Sequence, residues 1–209
     1  MLAGFEPFGG EAINPALEVA RRLDGRRFGS YRVVTRGLPV VRNLCLEILA
    51  AAIRELDPEV ILALGQAGGQ AEITPERVAI NVDDFRIADN AGAQPVDVPV
   101  IAEGPVAYWS TLPIKPMVRA MLDAGVPAKV SNSAGTFVCN HIFYGLMHHL
   151  AAEGDIRRGG FIHVPYLPEQ SARLGCPPSM ALETMVKGLE AALAMLAPQP
   201  ISLSGDLSG

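Results

Sequence analysis

Cys139 lies in the stretch Ser131-Asn-Ser-Ala-Gly-Thr-Phe-Val-Cys-Asn-His141, and its setting is that of a nucleophile. A small, glycine-containing strand exit precedes it, and an amphipathic run follows, with Ile142, Phe143, Leu146, Met147 and Leu150 at helical spacing. The cysteine therefore falls in the first turn of a helix. Unpaired N–H groups and a partial positive charge there favour thiolate over thiol and can hold a developing oxyanion. A lone cysteine in an α/β core is more often a small hydrophobe; the junction after Ala-Gly-Thr is what shifts the reading toward function. Cys45, inside an apolar helix face, and Cys176, beside Pro177, read as structural.

A thiolate that attacks an amide needs an imidazole to protonate the leaving amine. The chain has four histidines. His148 and His149 sit about two and a half turns beyond Cys139, out of reach, and suit the helix C-terminus. His141 follows Cys139 by two residues, so the helix aims it elsewhere. His163, at the end of the apolar run Phe-Ile-His-Val-Pro, is the best base of the four. The group that orients it stays open: Glu72, Glu76, Asp83, Asp84 and Asp89 are all available, and nothing local separates Glu76 from Asp84. Glu76 opens the apolar run Arg-Val-Ala-Ile-Asn, yet a solvated pair with Arg77 is at least as good a reading. Arg86 reads as a surface arginine. No HExxH or CxxC spacing suggests a metal, and Gly9-Gly10 and Gly65-Gln-Ala-Gly-Gly lack GxGxxG or a phosphate-loop lysine.

The elements that must position these residues alternate. A very short strand precedes the Gly4–Gly10 loop. Asn14 caps a helix that begins at Pro15 and runs to Leu23. Strand runs are expected over Tyr31–Pro39, Glu59–Gly65, Glu76–Val82, Ala128–Asn132 and Gly160–Val164. Helices are expected over Val40–Leu56 (with Leu44, Ile48, Ala51 and Leu56 on one face), Pro116–Ala124, Val138–Glu153 and Pro178–Leu196. Strands alternating with helices imply an α/β fold with a largely parallel sheet covered on both faces. Sites in such sheets form at the carboxyl ends of strands. Four unusual segments fall there: the Gly-Phe-Glu-Pro-Phe-Gly-Gly loop, Gly65-Gln-Ala-Gly-Gly, the approach to Cys139, and His163-Val-Pro-Tyr.

Composition bounds the rest. The 209 residues fit one catalytic domain over 1–197, with a Pro-, Ser- and Gly-containing tail at 198–209 expected to be poorly ordered. Half the chain is apolar (49%), only 19% is charged, and the net charge is −5 with no basic block, against nucleic-acid binding. No apolar run reaches a membrane span, and the start lacks a signal-peptide pattern. Three cysteines make a disulfide framework unlikely and point to a reducing cytoplasm.

Several motifs together carry a resemblance: Gly4-Phe-Glu-Pro-Phe-Gly-Gly with Asn14-Pro15, Ile73-Thr-Pro-Glu76-Arg-Val-Ala-Ile-Asn81, Asp89-Asn90, Gly104-Pro-Val-Ala-Tyr-Trp-Ser-Thr-Leu-Pro-Ile-Lys115, Ser133-Ala-Gly-Thr-Phe-Val-Cys139-Asn and His163-Val-Pro-Tyr-Leu-Pro-Glu-Gln170. From Gly4 to about Leu196 the chain resembles the pyroglutamyl-peptidase I (pyrrolidone-carboxylate peptidase) family of cysteine peptidases. The resemblance implies a three-layer α/β/α sandwich and a triad of Cys139, His163 and Glu76. It implies Arg86 as support for the oxyanion, and Phe5, Phe8 and Gln66 as substrate-recognition residues. Phe137 and Val138 suit the same apolar wall. It also implies no cofactor, peptides with N-terminal pyroglutamate as substrates, a cytoplasmic location and a homotetramer. Family members usually have a longer first strand; here three residues precede Gly4, so a weakened sheet edge or a shortened chain is expected. Pro75 and Trp109 are local variations away from the chemistry. Two rival functions fit the same residues: a cysteine amidase acting on another small cyclic or N-acyl amide, and a non-catalytic binding relative.

Overall fold

Val60–Gln66 is a continuous apolar run, and in the computed structural model it is the middle strand of a five-stranded sheet. The structure describes residues 1–152, 154 and 156–197; the tail at 198–209 lies outside the described residues. In chain order the elements are β1 (Leu2–Phe5), α1 (Pro15–Leu23), β2 (Arg27–Phe28), β3 (Tyr31–Arg32), β4 (Thr35–Leu38), α2 (Leu44–Leu56), β5 (Val60–Gln66), β6 (Thr74–Pro75), β7 (Val78–Ile80), β8 (Ala107–Trp109), α3 (Ile114–Asp123), α4 (Val138–Ala152), β9 (Arg158–Val164), α5 (Pro168–Arg173) and α6 (Leu182–Ala194). The main sheet has the order β4-β1-β5-β9-β6 and is parallel except for β6, which runs antiparallel to β9.

Strand alternation sorts the core into two layers. On one face Leu2, Leu62, Leu64, Ile162 and Val164 pack against α1, α3 and α6. On the other, Ala3, Phe5, Ile61, Ala63 and Phe161 pack against α2 and α4. The three-layer α/β/α sandwich is therefore present. β1 is an interior strand, bonded to β4 on one side and β5 on the other, so the expected weak edge is absent. Its Gly4 lets α1 approach closely: an added Cβ would lie 2.8 Å from both Ala16 O and Leu17 Cα. Asn14 caps α1, its Oδ1 accepting the N–H of Ala16 at 3.0 Å.

Several expected elements are shorter or divided. Tyr31–Pro39 is not one strand. Its first part pairs with β2 in an antiparallel excursion, and the chain joins the main sheet only at Thr35. Glu76–Val82 divides because the chain leaves β9 after Pro75 and pairs β7 with β8 instead. Ala128–Asn132 runs beside 73–76 through single bridges at Ala128 and Ser131 without becoming a strand. α2 starts at Leu44, not Val40, because Arg42 is engaged by Asp83 and Asp89 and Asn43 by His141 of α4. Its buried row is Cys45, Leu49, Ala52 and Ile53, one residue on from the expected face; Leu44 is 42% exposed. Pro178–Leu196 becomes helical only at Leu182, and the short helix α5 was not expected.

Gly4→Ala should destabilise the protein by about 1–3 kcal/mol, because the atoms it strikes are backbone and α1 must move. Urea unfolding, followed as a lowered midpoint at unchanged slope, measures it.

Candidate active site

The four segments expected at the strand ends do meet. Cys139 sits in the first turn of α4, and the N–H groups of Val138 and Cys139 have no backbone acceptor among the described residues. They are free to face a ligand, as the helix start requires. The sulfur lies against β5 at Gly65: a Cβ there would come within 2.8 Å of Cys139 Sγ and 2.6 Å of the Phe161 ring. Glycine at this strand end is thus a condition for seating the Cys139 sulfur, a role the sequence did not suggest.

His163, next to last in β9, is 6% exposed and lines the same cleft as Cys139. Its Nδ1–H donates to Glu76 Oε1 at 2.8 Å, which leaves Nε2 as the nitrogen for sulfur. Glu76 is fully buried just after β6, held by its N–H to Phe161 O at 2.9 Å. Its Oε2 has no partner among the described residues. The antiparallel register of β6 on β9, Thr74 opposite His163, brings the acid beside the imidazole. Burial alone would lower the His163 pKa. Its interactions with the Cys139 side chain, then the bond and charge of Glu76, outweigh burial and raise it to about 9. The pair is therefore poised as imidazolium beside sulfur.

The other acids are committed elsewhere. Asp83 accepts from Arg42 Nε at 2.7 Å and from His141 Nδ1 at 2.9 Å, while His141 Nε2 accepts the N–H of Asn43. This ties α4 to the start of α2 and explains why His141 does not face Cys139. Asp89 accepts three N–H groups, from Arg42, Ala91 and Ala93. Glu72 pairs with Lys129, and Asp84 bonds through its backbone to Thr136. Arg77 turns to Asn132 rather than to Glu76. Asn140, next to the nucleophile, is fully buried and clamps Ile80 and Val82 through three hydrogen bonds. His148 bonds Tyr108 through Nδ1 rather than only facing the helix end. Cys45 is buried and its thiol is pushed up to about 12, mainly by burial. Cys176 is exposed in a left-handed turn, so the expectation of a structural cysteine fails for it.

Beside Cys139 lies a narrow slot walled by Phe5, Phe8, Val40, Gln66, Phe137 and Val138. Phe137 packs edge-on against Phe85 (centroids 4.8 Å apart) and against Phe8 (5.9 Å). The slot opens on a wider cleft that includes Gln66, Arg86, Cys139, His163 and Tyr166. Arg86 is exposed, and its guanidinium has no ion-pair partner among the described residues. A separate cavity, lined by Met1, Tyr31, Glu59 and Leu196, contains neither Cys139 nor His163. The described residues contain no cluster of three metal-ligating side chains and no helix long and apolar enough to cross a membrane. The arrangement suits nucleophilic attack on an amide whose acyl group fills an uncharged slot.

Comparisons agree with that chemistry. The family description "Pyroglutamyl peptidase" matches residues 1–199. The chain is 59% identical over 196 residues to the pyrrolidone-carboxylate peptidase of Cupriavidus necator, covering 93% of this chain and 90% of that one. It is 55% identical over 193 residues to that of Bacillus thuringiensis, covering 92% and 90%. Pyroglutamyl peptidase I from Bacillus amyloliquefaciens superposes with a TM-score of 0.91 at 47% identity, covering 94% of this chain and 92% of that one. A mutant pyrrolidone carboxyl peptidase from Pyrococcus furiosus gives 0.88 at 42%, covering 92% and 94%.

A histidine whose folded pKa is raised adds stability that is fully present below its unfolded value near 6.5 and is lost as pH rises through about 9. Replacing Cys139 with Ala removes the largest upward influence. His163 in that variant should titrate roughly one unit or more lower by NMR, and the His163-linked fall in stability should move to lower pH. An unshifted titration would refute the assigned contact.

Proposed function

The chain belongs to the pyroglutamyl peptidase family, cysteine hydrolases that remove N-terminal pyroglutamate from peptides, and we propose that Cys139, His163 and Glu76 are its catalytic group. The observation that carries this is an imidazole held by a buried carboxylate in the cleft that Cys139 also lines, at the mouth of an apolar slot.

Cys139 Sγ attacks the carbonyl carbon that joins the pyroglutamyl ring to the next residue. The oxyanion forms toward the free N–H of Cys139 at the start of α4, with Arg86 supporting it from the cleft wall. The C–N bond breaks as His163 gives its proton to the departing amine, leaving a thioester on Cys139. His163 then takes a proton from water, hydroxide adds to the thioester carbon, and the thiolate leaves with 5-oxoproline released. Glu76 holds the ring in the tautomer that presents Nε2 and supports its positive charge. Phe5, Phe8, Phe137 and Val138 wall the ring site, and Gln66 supplies its polar contact. An ordinary N-terminal ammonium would lose its hydration there with no anionic partner, which disfavours common N-termini.

The free thiols of Cys45, Cys139 and Cys176 support a reducing, cytoplasmic setting. Exposed apolar side chains, among them Val106 and Trp109 (67% exposed) on the β7–β8 ribbon, support a homotetramer like that implied by the family resemblance.

Release of aminocoumarin from its pyroglutamyl amide tests the assignment. Cys139→Ser should lower kcat by ~10³-fold or more, and Glu76→Gln by roughly 10²–10⁴-fold with little change in KM. Full activity in Cys139→Ser sinks the mechanism.

A further inference from the structure

Gln170, in α5, is fully buried, and its amide meets four hydrogen-bonding groups whose roles are forced, its two N–H bonds being shared among three acceptors. Its Oε1 accepts the N–H of Leu167 at 3.0 Å. A backbone N–H can only donate, so that end of the amide is the oxygen. Its Nε2 then faces Ile13 O at 3.3 Å, Glu11 Oε2 at 3.2 Å and the Gln66 side chain at 2.9 Å. The first two of these only accept, which agrees with the same orientation. The Gln66 atom that meets an NH₂ group must accept as well, so it is Oε1. Turning the Gln66 amide over would set one NH₂ against another.

The consequence falls in the slot. Gln66 ends β5 and lines the slot beside Cys139. With its oxygen held by Gln170, its Nε2 is left with no acceptor among the described residues. Asn14, another polar side chain on the slot, is already used: Oδ1 on Ala16 N–H and Nδ2 on Glu6 O. Gln66 Nε2 is thus an unspent donor on a residue that lines an otherwise apolar slot.

We propose that Gln170 is a positioning residue that locks Gln66 as a hydrogen-bond donor into the slot, so that the enzyme selects rings with a carbonyl acceptor at this point, as in 5-oxoproline. This rests on the function proposed above. A donor reads the ring C=O. It gains nothing from proline, which has a basic amine and no ring oxygen, or from a plain cyclopentane ring. Were Gln66 free to turn over, its oxygen could face the slot and this discrimination would weaken.

The test compares two substrates on one protein: the aminocoumarin amides of pyroglutamate and of cyclopentanecarboxylic acid, the second without a ring acceptor. Gln170→Glu keeps the acceptor for Leu167 N–H but puts an oxygen against Gln66, so the Gln66 amide turns over and offers its own oxygen to the slot. The ratio of kcat/KM values, pyroglutamyl over cyclopentanecarbonyl, should fall about tenfold or more, chiefly through KM for the pyroglutamyl amide. Gln170→Met, which removes the NH₂ that holds Gln66 Oε1 and leaves the Gln66 amide free to turn over, should lower the ratio in the same direction and serves if Gln170→Glu does not fold. Alkylation of Cys139 by iodoacetamide should keep its wild-type rate in Gln170→Met, which adds no charge near the thiol. If both substrates decline by the same factor, or the ratio holds, the role of Gln170 is overturned. If wild type releases neither product, the functional reading itself falls.

Discussion

The buried hydrogen bond from His163 to Glu76 is the constraint around which the rest of the molecule is arranged. Taking a carboxylate out of water costs several kcal/mol unless a partner is waiting, and among the described residues Glu76 has only the imidazole on one oxygen and nothing on the other. The acid therefore needs a strand that delivers it to β9 with no freedom to drift. That is the service of the antiparallel pair β6–β9 in a sheet that is otherwise parallel. The chain reverses there, presents Glu76, and leaves at once for the β7–β8 ribbon. The short strand that looks like a truncated edge is the length that holds the acid and no longer.

A second set of buried polar contacts does for the nucleophile what the sheet does for the acid. Asn140 fixes α4 to the end of β7 and the residue beyond it, and the Arg42–Asp83–His141 group fixes α4 to the start of α2. Because His141 is bonded through both ring nitrogens, α4 can neither rotate nor slide without leaving a buried donor or acceptor unpaired. The first turn of α4 is thereby held against Gly65, where the sulfur has room only because no side chain stands in the way.

How much of this was legible depended on whether the signal was local. Cys139 was, since a helix start follows from a few neighbouring residues. His163 was, by elimination among four histidines. Glu76 was not, because its difference from Asp84 is made by a strand pairing 87 residues away in sequence. Family resemblance supplied that choice. The buried face of α2 was missed by one position: Leu44, Ile48 and Cys45, Leu49 are adjacent rows, both apolar, and periodicity alone does not say which row meets the sheet. Strand runs at 31–39 and 76–82 were read as continuous because apolar content persists across points where the pairing partner changes. Gln170 stood in a recognised motif with no role attached, since a relay of side-chain amides has no sequence period.

The narrow aromatic slot has a thermodynamic consequence. Phe5, Phe8, Phe137 and Val138 leave so little space that few waters occupy it before a ligand arrives. Ring entry then draws less on released water than on new dispersion contacts with the aromatic faces and one amide bond. Binding of the free ring acid, followed by calorimetry, is accordingly exothermic with a negative heat-capacity change, and affinity weakens as the temperature rises.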